Sequence, residues 1–226
     1  MTLEVAVVNG KRTGWQTRGD LVAAAAEVFD RDGFTGASLH DVCARAEVSK
    51  GALYCHFPSK NALALAVIER QSLLWHEVRY ELGDRGGMPT QTLVDFSFEL
   101  AERMCADPVL RAGSRLVLEA GLFEVAAASQ FAGSVAIVRD LLRDAEKAGE
   151  LLSGTDVRYA AEAIVAELTG THLLSLAMAG ETELPARLPQ MWRLRLLGLV
   201  HERVRVRLRL APQPPHSMSK GPVSKR

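Results

Sequence analysis

The sequence predicts an all-α protein, built from a small three-helix domain of helix-turn-helix type and a larger helical domain. Apolar residues recur at helical spacing along most of the 226 residues, and glycine and proline are sparse within those stretches. No alternation typical of a strand appears before residue 203. Because 48% of the residues are hydrophobic, a chain of this length can bury a sizeable core in one or two domains.

The first predicted helix begins at Thr17, whose hydroxyl can cap the first turn, with Asp20 three residues later. Gly33 can adopt the left-handed conformation that ends a helix, and Phe34 then follows where the chain brings an apolar residue back onto Phe29. Between these ends the apolar residues have the spacing of a helix buried on one side: Leu21, Ala24, Ala25, Val28 and Phe29.

Two short helices follow, separated by a tight turn. Ser38 caps the second helix, and Ser49 caps the third. Val48, just before the second of these caps, and Leu53 inside the helix are spaced as a hydrophobic staple, which fixes how the chain enters the third helix. With Leu53 and Phe57 turned inward, four residues remain on the outer face of the third helix: Lys50, Gly51, Tyr54 and Cys55.

The outer face of the third helix favours contact with nucleic acid. Gly51 costs the helix about 1 kcal/mol relative to alanine, but it allows the backbone to approach a phosphate or a base edge closely. Lys50, Tyr54, His56 and Lys60 carry donors of the kind that position a protein on phosphates. From the pattern alone, the alternative is a plain three-helix core with a solvated outer face.

A specific motif adds to this pattern. GALYCHFPSK, preceded by AAAEVFDRDGFTGAS and a capped helix, resembles the amino-terminal DNA-binding domain of TetR-family transcriptional repressors over about residues 17–70. The resemblance implies that Lys50, Gly51 and Ala52 read bases. The other residues that it implies at the DNA are Ser38, His40, Ser49, Tyr54, His56 and Lys60, with His40 able to reach a base and the last three at phosphates.

Most of the chain resembles, more narrowly, the γ-butyrolactone receptor branch of that family. The segments that carry this likeness are SKGALYCHFPSKNALALAVIERQ, LRAGSRLVLEAG, LTGTHLLSLAMAG and LPQMWRLRLLGL. Members of this branch are actinobacterial repressors that release DNA when a small signalling lactone or furan binds. The resemblance therefore implies a homodimer on a near-palindromic, double-stranded operator, and a small-molecule effector.

The resemblance also implies a ligand pocket among the central helices of the second domain, with Gln71, Ser134 and Thr169 lining it. The branch typically has tryptophan where this chain has Ser134, so a flat wall of the pocket would be missing. Three alternatives follow for the effector: a butyrolactone- or furan-like molecule, a different molecule such as an antibiotic or a biosynthetic intermediate, or no effector. Because of Ser134, we expect a different molecule or none. Trp75 and Phe131 are further ligand candidates, although such residues more often form core.

Two residues of the DNA-binding motif depart from the family pattern. Glu47 occupies the turn where the family usually has glycine, and a non-glycine residue there is strained if the turn requires a positive φ. Cys55 replaces an aromatic residue of the branch, so contact area with the DNA backbone is lost. Operator affinity or preference is then expected to differ from that of relatives.

The chain is predicted to divide into a DNA-binding domain with an amino-terminal arm (1–60), a ligand-binding and dimerisation domain (61–202) and a basic, disordered tail (203–226). A long helix from residue 60 to about 82 joins the first two, and later helices are expected at 89–107, 108–122, 127–149, 156–179 and 184–202. The alternating arginines of the tail could also form a short strand, extend the last helix or contact nucleic acid. A solvated tail is the preferred interpretation.

Other classes of protein are less well supported. No Ser/His/Asp, Cys/His, paired-carboxylate or metal-spaced set can be assembled, so an all-α enzyme is unexpected and no cofactor is predicted. An architectural DNA-binding protein, or one that responds to no ligand, remains the main alternative. The first residues lack the features of a signal peptide, no segment approaches 18 consecutive apolar residues and the three cysteines have no metal-binding spacing, so a cytoplasmic location and reduced thiols are expected.

Overall fold

The computed structural model of the chain describes residues 14–83, 87–119, 123–178 and 183–212. Within these ranges no strand forms beyond an isolated antiparallel bridge between Leu151 and Val200, so the prediction of an all-α protein is confirmed. Ten helices occur there: α1 Gly14–Gly36, α2 Leu39–Ala46, α3 Lys50–His56, α4 Lys60–Gly83, α5 Pro89–Ala106, α6 Pro108–Leu118, α7 Glu124–Lys147, α8 Val157–Met178, α9 Leu184–Leu197 and α10 Glu202–Arg205.

The chain forms two compact units. The first comprises residues 1–74 and 107–132, and the second comprises residues 75–106 and 133–226. This division differs from the boundary expected near residue 60, because α6 packs against α1 and therefore belongs to the first unit. Helices α4 and α7 each contribute residues to both units.

Helix α1 changes direction at Gly33, as its sequence predicts. Gly33 has φ 69° and ψ 176°, which interrupts the helical geometry before Gly36. Phe34 then returns to Phe29, and their ring centroids lie 5.9 Å apart. Only glycine adopts this backbone conformation without strain, so the end of the regular helix is encoded by one residue.

The core of the first unit is formed by α1, α2, α3, the first half of α4 and α6. Helix α6 begins at Asp107, whose carboxylate accepts a hydrogen bond from the Val109 backbone N–H at 2.8 Å, with Pro108 in the first turn. The buried apolar side chains of this core include Leu21, Val28, Phe29, Val42, Leu53, Phe57, Leu63, Val67, Ala112 and Leu116.

In the second unit, side-chain hydrogen bonds fix α5 at Thr90, in its first turn, and at Ser97, two turns later. The Glu150 carboxylate accepts hydrogen bonds from the Thr90 backbone N–H (2.9 Å) and hydroxyl (2.6 Å) at the start of the helix. Two turns further on, the Ser97 hydroxyl accepts a 2.8 Å hydrogen bond from the indole N–H of Trp192, the largest fully buried side chain. Because Trp192 lies on α9, this bond joins α5 to the carboxyl-terminal half of the unit.

The carboxyl-terminal region departs from its prediction. Helix α9 ends at Leu197 rather than near residue 202, because the chain leaves the helix at Gly198 and pairs with the loop before α8. The Leu152 N–H donates to Leu199 O at 3.0 Å, and the His201 N–H donates to Glu150 O at 3.1 Å. Residues 203–212, expected to be disordered, instead continue through α10 into a segment bound to α5. The amino-terminal arm up to residue 13 and residues 213–226 lie outside the described residues.

Helix α7 is more apolar than we expected from the sequence of any segment of this chain. Its most apolar window of 18 residues has a mean hydropathy of 1.3, so by length and composition alone it could cross a membrane. Core helices of soluble proteins pass the same test, and this is the single such helix within the described ranges, so the finding does not by itself indicate a membrane span.

Candidate functional site

The turn between α2 and α3 is built by local interactions that the sequence specifies. The Ser38 hydroxyl accepts the Asp41 N–H at 3.1 Å, and the Ser49 hydroxyl accepts the Ala52 N–H at 3.1 Å. Both predicted caps are therefore present. Between them Glu47 has φ 54° and ψ 44°, and it is the one non-glycine residue with positive φ in the described ranges.

The conformation of Glu47 carries a cost. A Cβ atom in the left-handed region lies close to the following carbonyl oxygen, which destabilises the backbone by roughly 1–2 kcal/mol. The turn nevertheless forms, and the Val48 N–H donates a hydrogen bond to Cys43 O at 3.0 Å that offsets part of this cost. The angle between α2 and α3 is therefore maintained despite a residue that does not favour it.

Replacing Glu47 by glycine should raise the free energy of unfolding by about 1 kcal/mol, because glycine enters the left-handed region without a Cβ clash. Urea denaturation of the purified protein measures the change. Glu47→Ala is the matched control, since it removes the carboxylate but keeps the Cβ. An equal gain in both variants would mean that the carboxylate, and not the backbone, is the source of the strain.

The outer face of α3 is open to solvent. Leu53 and Phe57 are buried in the core, while Lys50 and Tyr54 project outward, and 46% of the Tyr54 surface is exposed. The Lys50 ammonium lies 5.9 Å from the centre of the Tyr54 ring, so the two form one cationic and aromatic patch. Cys55 is a free, exposed thiol beside them.

Gly51 is not required by packing. A Cβ built at this position would meet no neighbour closer than the Ser49 hydroxyl oxygen at 3.9 Å. The helix would therefore accommodate alanine, which it would also prefer by about 1 kcal/mol. Gly51 lies at an exposed position in the first turn of α3, and neither its backbone conformation nor its neighbours require glycine there.

The remaining residues predicted at DNA lie in different surroundings. His40 is exposed on α2, His56 and Ala52 are half-buried in α3, and Ser38 and Ser49 serve as the caps described above. Lys60 makes contacts within the protein: its ammonium donates to Thr35 O at 3.3 Å and lies 4.6 Å from the centre of the Phe34 ring. It therefore joins the start of α4 to the last residues of α1.

Ion pairs and hydrogen bonds join α6 and the residue after it to the end of α1, and they were not predicted from the sequence. The Arg111 guanidinium lies 2.8 Å from the Asp30 carboxylate, and Arg115 donates to the Asp30 carbonyl oxygen at 2.9 Å. The Glu119 carboxylate accepts the Phe34 N–H at 3.4 Å. A Cβ on Gly33 would lie 3.2 Å from Arg115, so the glycine also makes room for this network.

Gln71, predicted to line a ligand pocket, is buried against α6 in the first unit. Its amide N–H group donates to the Ser114 hydroxyl at 2.6 Å and to Leu110 O at 3.4 Å. Its amide oxygen is buried without a hydrogen-bond partner. A buried acceptor left unpaired costs roughly 1–3 kcal/mol.

The other ligand candidates are distributed over both units. Phe131 packs against the core of the first unit, whereas Trp75, Ser134 and Thr169 belong to the second. The Trp75 ring meets Phe96 edge-on at 6.3 Å, and its buried indole N–H has no acceptor. Ser134 is 3% exposed, and Thr169 is half-buried on α8.

An open cleft of about 410 Å³ in the second unit is lined by none of these candidates. It lies between the end of α4 and the middle of α7, with mostly apolar walls and charged residues at its rim. Arg79 is already within 3.9 Å of Asp144 there. The cleft therefore does not correspond to the pocket that the sequence predicts. Among the described residues, no three His, Cys, Asp or Glu side chains are grouped so as to hold a metal ion.

Buried His172, on α8, has an imidazole Nε2 atom without a hydrogen-bond partner. Desolvation by burial lowers the pKa of His172 from its ordinary value near 6.5. The folded protein therefore favours the neutral imidazole.

Acidification should destabilise the second unit through His172. Because its pKa is lower in the folded than in the unfolded chain, the unfolded chain binds the extra proton first as the pH falls below 6.5. Stability is then lost progressively down to the folded-state pKa and changes no further below it. Thermal unfolding at about pH 7.5 and about pH 5.5 should show a smaller decrease for His172→Gln than for the unaltered chain. Equal decreases would exclude His172 as a source.

Helices α8 and α9 pack against each other and expose a broad apolar surface. Arg195 of α9 and Glu167 of α8 form an ion pair that links the two helices. The exposed large side chains on these helices are Tyr159, Leu173, Leu174, Leu176, Met178, Leu194 and Leu197. Exposed large apolar side chains that lie together are typical of sites of protein association.

Comparison with known proteins identifies relatives of both parts of the chain. Residues 21–67 match the family described as bacterial regulatory proteins, tetR family, and residues 89–201 match the tetracyclin repressor-like C-terminal domain. The A-factor receptor protein of Streptomyces griseus is 34% identical over 186 residues, which are 82% of this chain. The alignment spans 64% of that protein, less than two thirds of its length.

Solved structures give the same result. A crystal structure of a γ-butyrolactone receptor (ArpA-like protein) has a TM-score of 0.72 at 33% identity, covering 86% of this chain and 93% of that one. CprB of Streptomyces coelicolor, solved in complex with its biological operator sequence, has a TM-score of 0.70 at 32% identity, with coverages of 86% and 93%. With both parts matched at this level, the chain belongs to the tetR family of bacterial regulatory proteins.

Proposed function

We propose that this protein is a ligand-responsive transcriptional repressor, acting in the cytoplasm, that binds a near-palindromic operator as a homodimer and releases it when a small molecule binds. The observation that carries the proposal is α3: a capped helix whose core side is fixed by Leu53 and Phe57 and whose open side combines Lys50, Tyr54 and a glycine that packing does not require. An enzymatic role is not proposed.

In the proposed complex, α3 enters the major groove. Lys50, Gly51 and Ala52 lie at base edges, and the exposed His40 of α2 reaches a base beside them. The positions at the sugar-phosphate backbone are Ser38, Ser49, Tyr54, His56 and Lys60. Lys60 can serve there only by leaving Thr35 O or by sharing its ammonium protons, so we expect it to contribute less than Lys50.

Dimerisation is proposed through α8 and α9, whose exposed leucines would otherwise remain in water. A two-fold axis would then present two α3 helices to successive major grooves, with half-sites about 34–36 Å apart. The relation of this chain to CprB, which was solved with its operator, supports the assignment.

A footprint on the protein's own promoter tests the proposal directly. We expect protection of one discrete, near-palindromic segment, and sedimentation should show a dimer in the absence of DNA. Protection without sequence preference would support the alternative of an architectural DNA-binding protein. A monomer with the same footprint would contradict the role assigned to α8 and α9.

The effector is proposed to contact Gln71, Trp75, Phe131, Ser134 and Thr169. Two of these residues supply support beyond position. The Gln71 amide oxygen is a buried acceptor without a partner in the first unit, and the Trp75 indole N–H is a buried donor without a partner in the second. The relatives named for A-factor and γ-butyrolactone binding indicate a small, mostly apolar ligand class. A serine at position 134, where the γ-butyrolactone receptor branch typically has tryptophan, would leave room for a molecule of another shape.

Ser134→Trp tests whether that room exists. If an empty volume adjoins Ser134, the variant should fold with nearly unchanged stability and gain affinity for a plain γ-butyrolactone, measured by operator release. Without such a volume, a tryptophan at a buried position should cost at least roughly 1–3 kcal/mol through overpacking. Tight binding of a γ-butyrolactone to the unaltered protein, with operator release, would contradict the proposal of a different effector. A mass spectrum of small molecules retained on purification would then identify the ligand.

A further inference from the structure

The segment that follows α9 is integrated into the second unit instead of projecting from it. Val204 is buried, and the Arg203 guanidinium donates to Gly149 O at 2.7 Å. Backbone hydrogen bonds from Arg207 to Val204 O and from Leu208 to Arg205 O keep the following residues in consecutive turns. We call residues 203–210 the C-terminal strap.

The strap is locked onto α5 by three residues. The Gln91 side-chain amide pairs with the backbone of Arg209 in both directions: its oxygen accepts the Arg209 N–H at 2.8 Å, and its nitrogen donates to Arg209 O at 3.0 Å. The Arg209 guanidinium donates to the Asp95 carboxylate at 2.9 Å. Gln91 also donates to the same carboxylate oxygen at 2.9 Å, so one network joins the strap and two successive turns of α5.

The burial of Asp95 makes its ion pair with Arg209 energetically important. Its side chain is 7% exposed, and a buried carboxylate is tolerated when a cation and hydrogen-bond donors compensate for its lost hydration. Arg209 supplies a cation at 2.9 Å. Removing Arg209 would leave the charge of Asp95 buried without this compensation, which is costlier than breaking a pair on the surface.

The residues of α5 that follow Asp95 contact two tryptophans of the second unit. Phe96, adjacent to Asp95, meets Trp75 edge-on, and Ser97 accepts the indole N–H of Trp192. The strap therefore restrains the same turns of α5 that orient two of the protein's three tryptophans. A shift of α5 at Asp95 would change the surroundings of both indoles.

We propose that residues 203–210 are a structural strap that clamps the first half of α5 and thereby fixes the packing of Trp75 and Trp192. The alternating arginines are then explained within the fold: Arg203 and Arg209 bind the protein, and Arg205 pairs with Glu202 at 3.5 Å. Because Trp75 is also a proposed effector contact, the strap holds one wall of that candidate site; this last step rests on the proposed function.

Two truncations provide the first test. Removing residues 213–226 retains the whole strap and should leave thermal stability and tryptophan emission unchanged. Removing residues 203–226 should lower Tm and shift the emission to longer wavelength, because Trp75 and Trp192 become more exposed to water. Equal behaviour of the two truncated chains would overturn the proposal.

Point variants keep the test informative if the longer truncation does not fold. Arg209→Ala and Arg207→Ala each remove one arginine, and one trypsin cleavage site, from the same segment. Arg209→Ala should accelerate tryptic cleavage within the strap by roughly 5- to 30-fold, because cleavage follows the population of the open state. Arg207→Ala should leave the rate unchanged, and Asp95→Asn should recover part of the loss when combined with Arg209→Ala.

These readouts need neither DNA nor effector, so their failure is distinct from failure of the proposed repressor function. Cleavage rates that are the same for Arg209→Ala and Arg207→Ala would overturn the strap. If both variants instead reduced operator affinity and its salt dependence alike, with no change in cleavage, the segment would be a nucleic-acid contact and the proposal would be wrong.

Discussion

Replacing Lys50 by alanine should weaken operator binding by roughly 1–3 kcal/mol and relax the preference for one base pair in each half-site. Lys50 is exposed at the first turn of α3, where its ammonium is free to reach a base edge while Ser49 holds the start of the helix. Binding isotherms on the operator and on duplexes altered at single positions measure both effects. Lys147→Ala, at an exposed lysine on α7, is the matched control and should change neither.

Tyr54→Ala should produce a different pattern. Loss of a phosphate contact weakens binding to all sequences alike, so the ratio of operator to random-sequence affinity should stay nearly constant. Tyr80, an exposed tyrosine of the second unit, provides the control variant Tyr80→Ala. Because the Lys50 ammonium lies 5.9 Å from the Tyr54 ring, the double variant should be less affected than the sum of the two single losses. If neither single change altered binding, α3 would not be the DNA-reading helix.

The DNA-binding segment could be predicted closely because its structure depends on neighbours in the sequence. Ser38 and Ser49 cap helices through N–H groups three residues away, and Gly33 ends α1 by its own conformation. Glu47 stands where the family usually has glycine, and its φ of 54° meets the condition under which strain was expected there. Such interactions use only a few consecutive residues, so the pattern of residue types is sufficient to indicate them.

Interactions between distant residues could not be read in the same way. The Arg209–Asp95 pair joins residues 114 positions apart, and the Arg111–Asp30 pair joins residues 81 positions apart. In the sequence, Arg209 is one of four alternating arginines, and nothing in that repetition distinguishes the one that binds a buried carboxylate from the exposed Arg207. The tail was therefore predicted as solvated, although residues 203–210 are bound.

The boundary between units was also outside the reach of local patterns. Helix α6 follows a cap and a first-turn proline that the sequence shows clearly, but its partner α1 lies about 80 residues earlier. The arginines of α6 had no signal as partners of Asp30, since exposed arginines on a helix usually form a solvated face. Only the packing of α6 on α1 reveals that the first unit includes residues beyond the predicted domain.

Replacing Gly113 by alanine should be among the most destabilising small changes in the first unit. A Cβ on Gly113 would lie 2.6 Å from the Gln71 amide oxygen and 2.8 Å from the Gln71 Cβ and Cδ atoms. Because Gln71 is 2% exposed and bonded to Ser114, it cannot swing away freely. We expect a loss of about 1–3 kcal/mol in the free energy of unfolding, from overpacking between α4 and α6.

Gly19→Ala is the matched control, because a Cβ on this exposed glycine of α1 meets nothing within 4 Å. It should stabilise the protein by about 1 kcal/mol, the ordinary preference of a helix for alanine. Gly113→Ala combined with Gln71→Gly removes all three clashing atoms, so the two changes should be strongly non-additive, with a coupling energy of roughly 0.5–3 kcal/mol. If Gly113→Ala were as well tolerated as Gly19→Ala, Gln71 would have another place to go. Its amide would then not be fixed against α6, and the unpaired oxygen would lose its value as an acceptor for the effector.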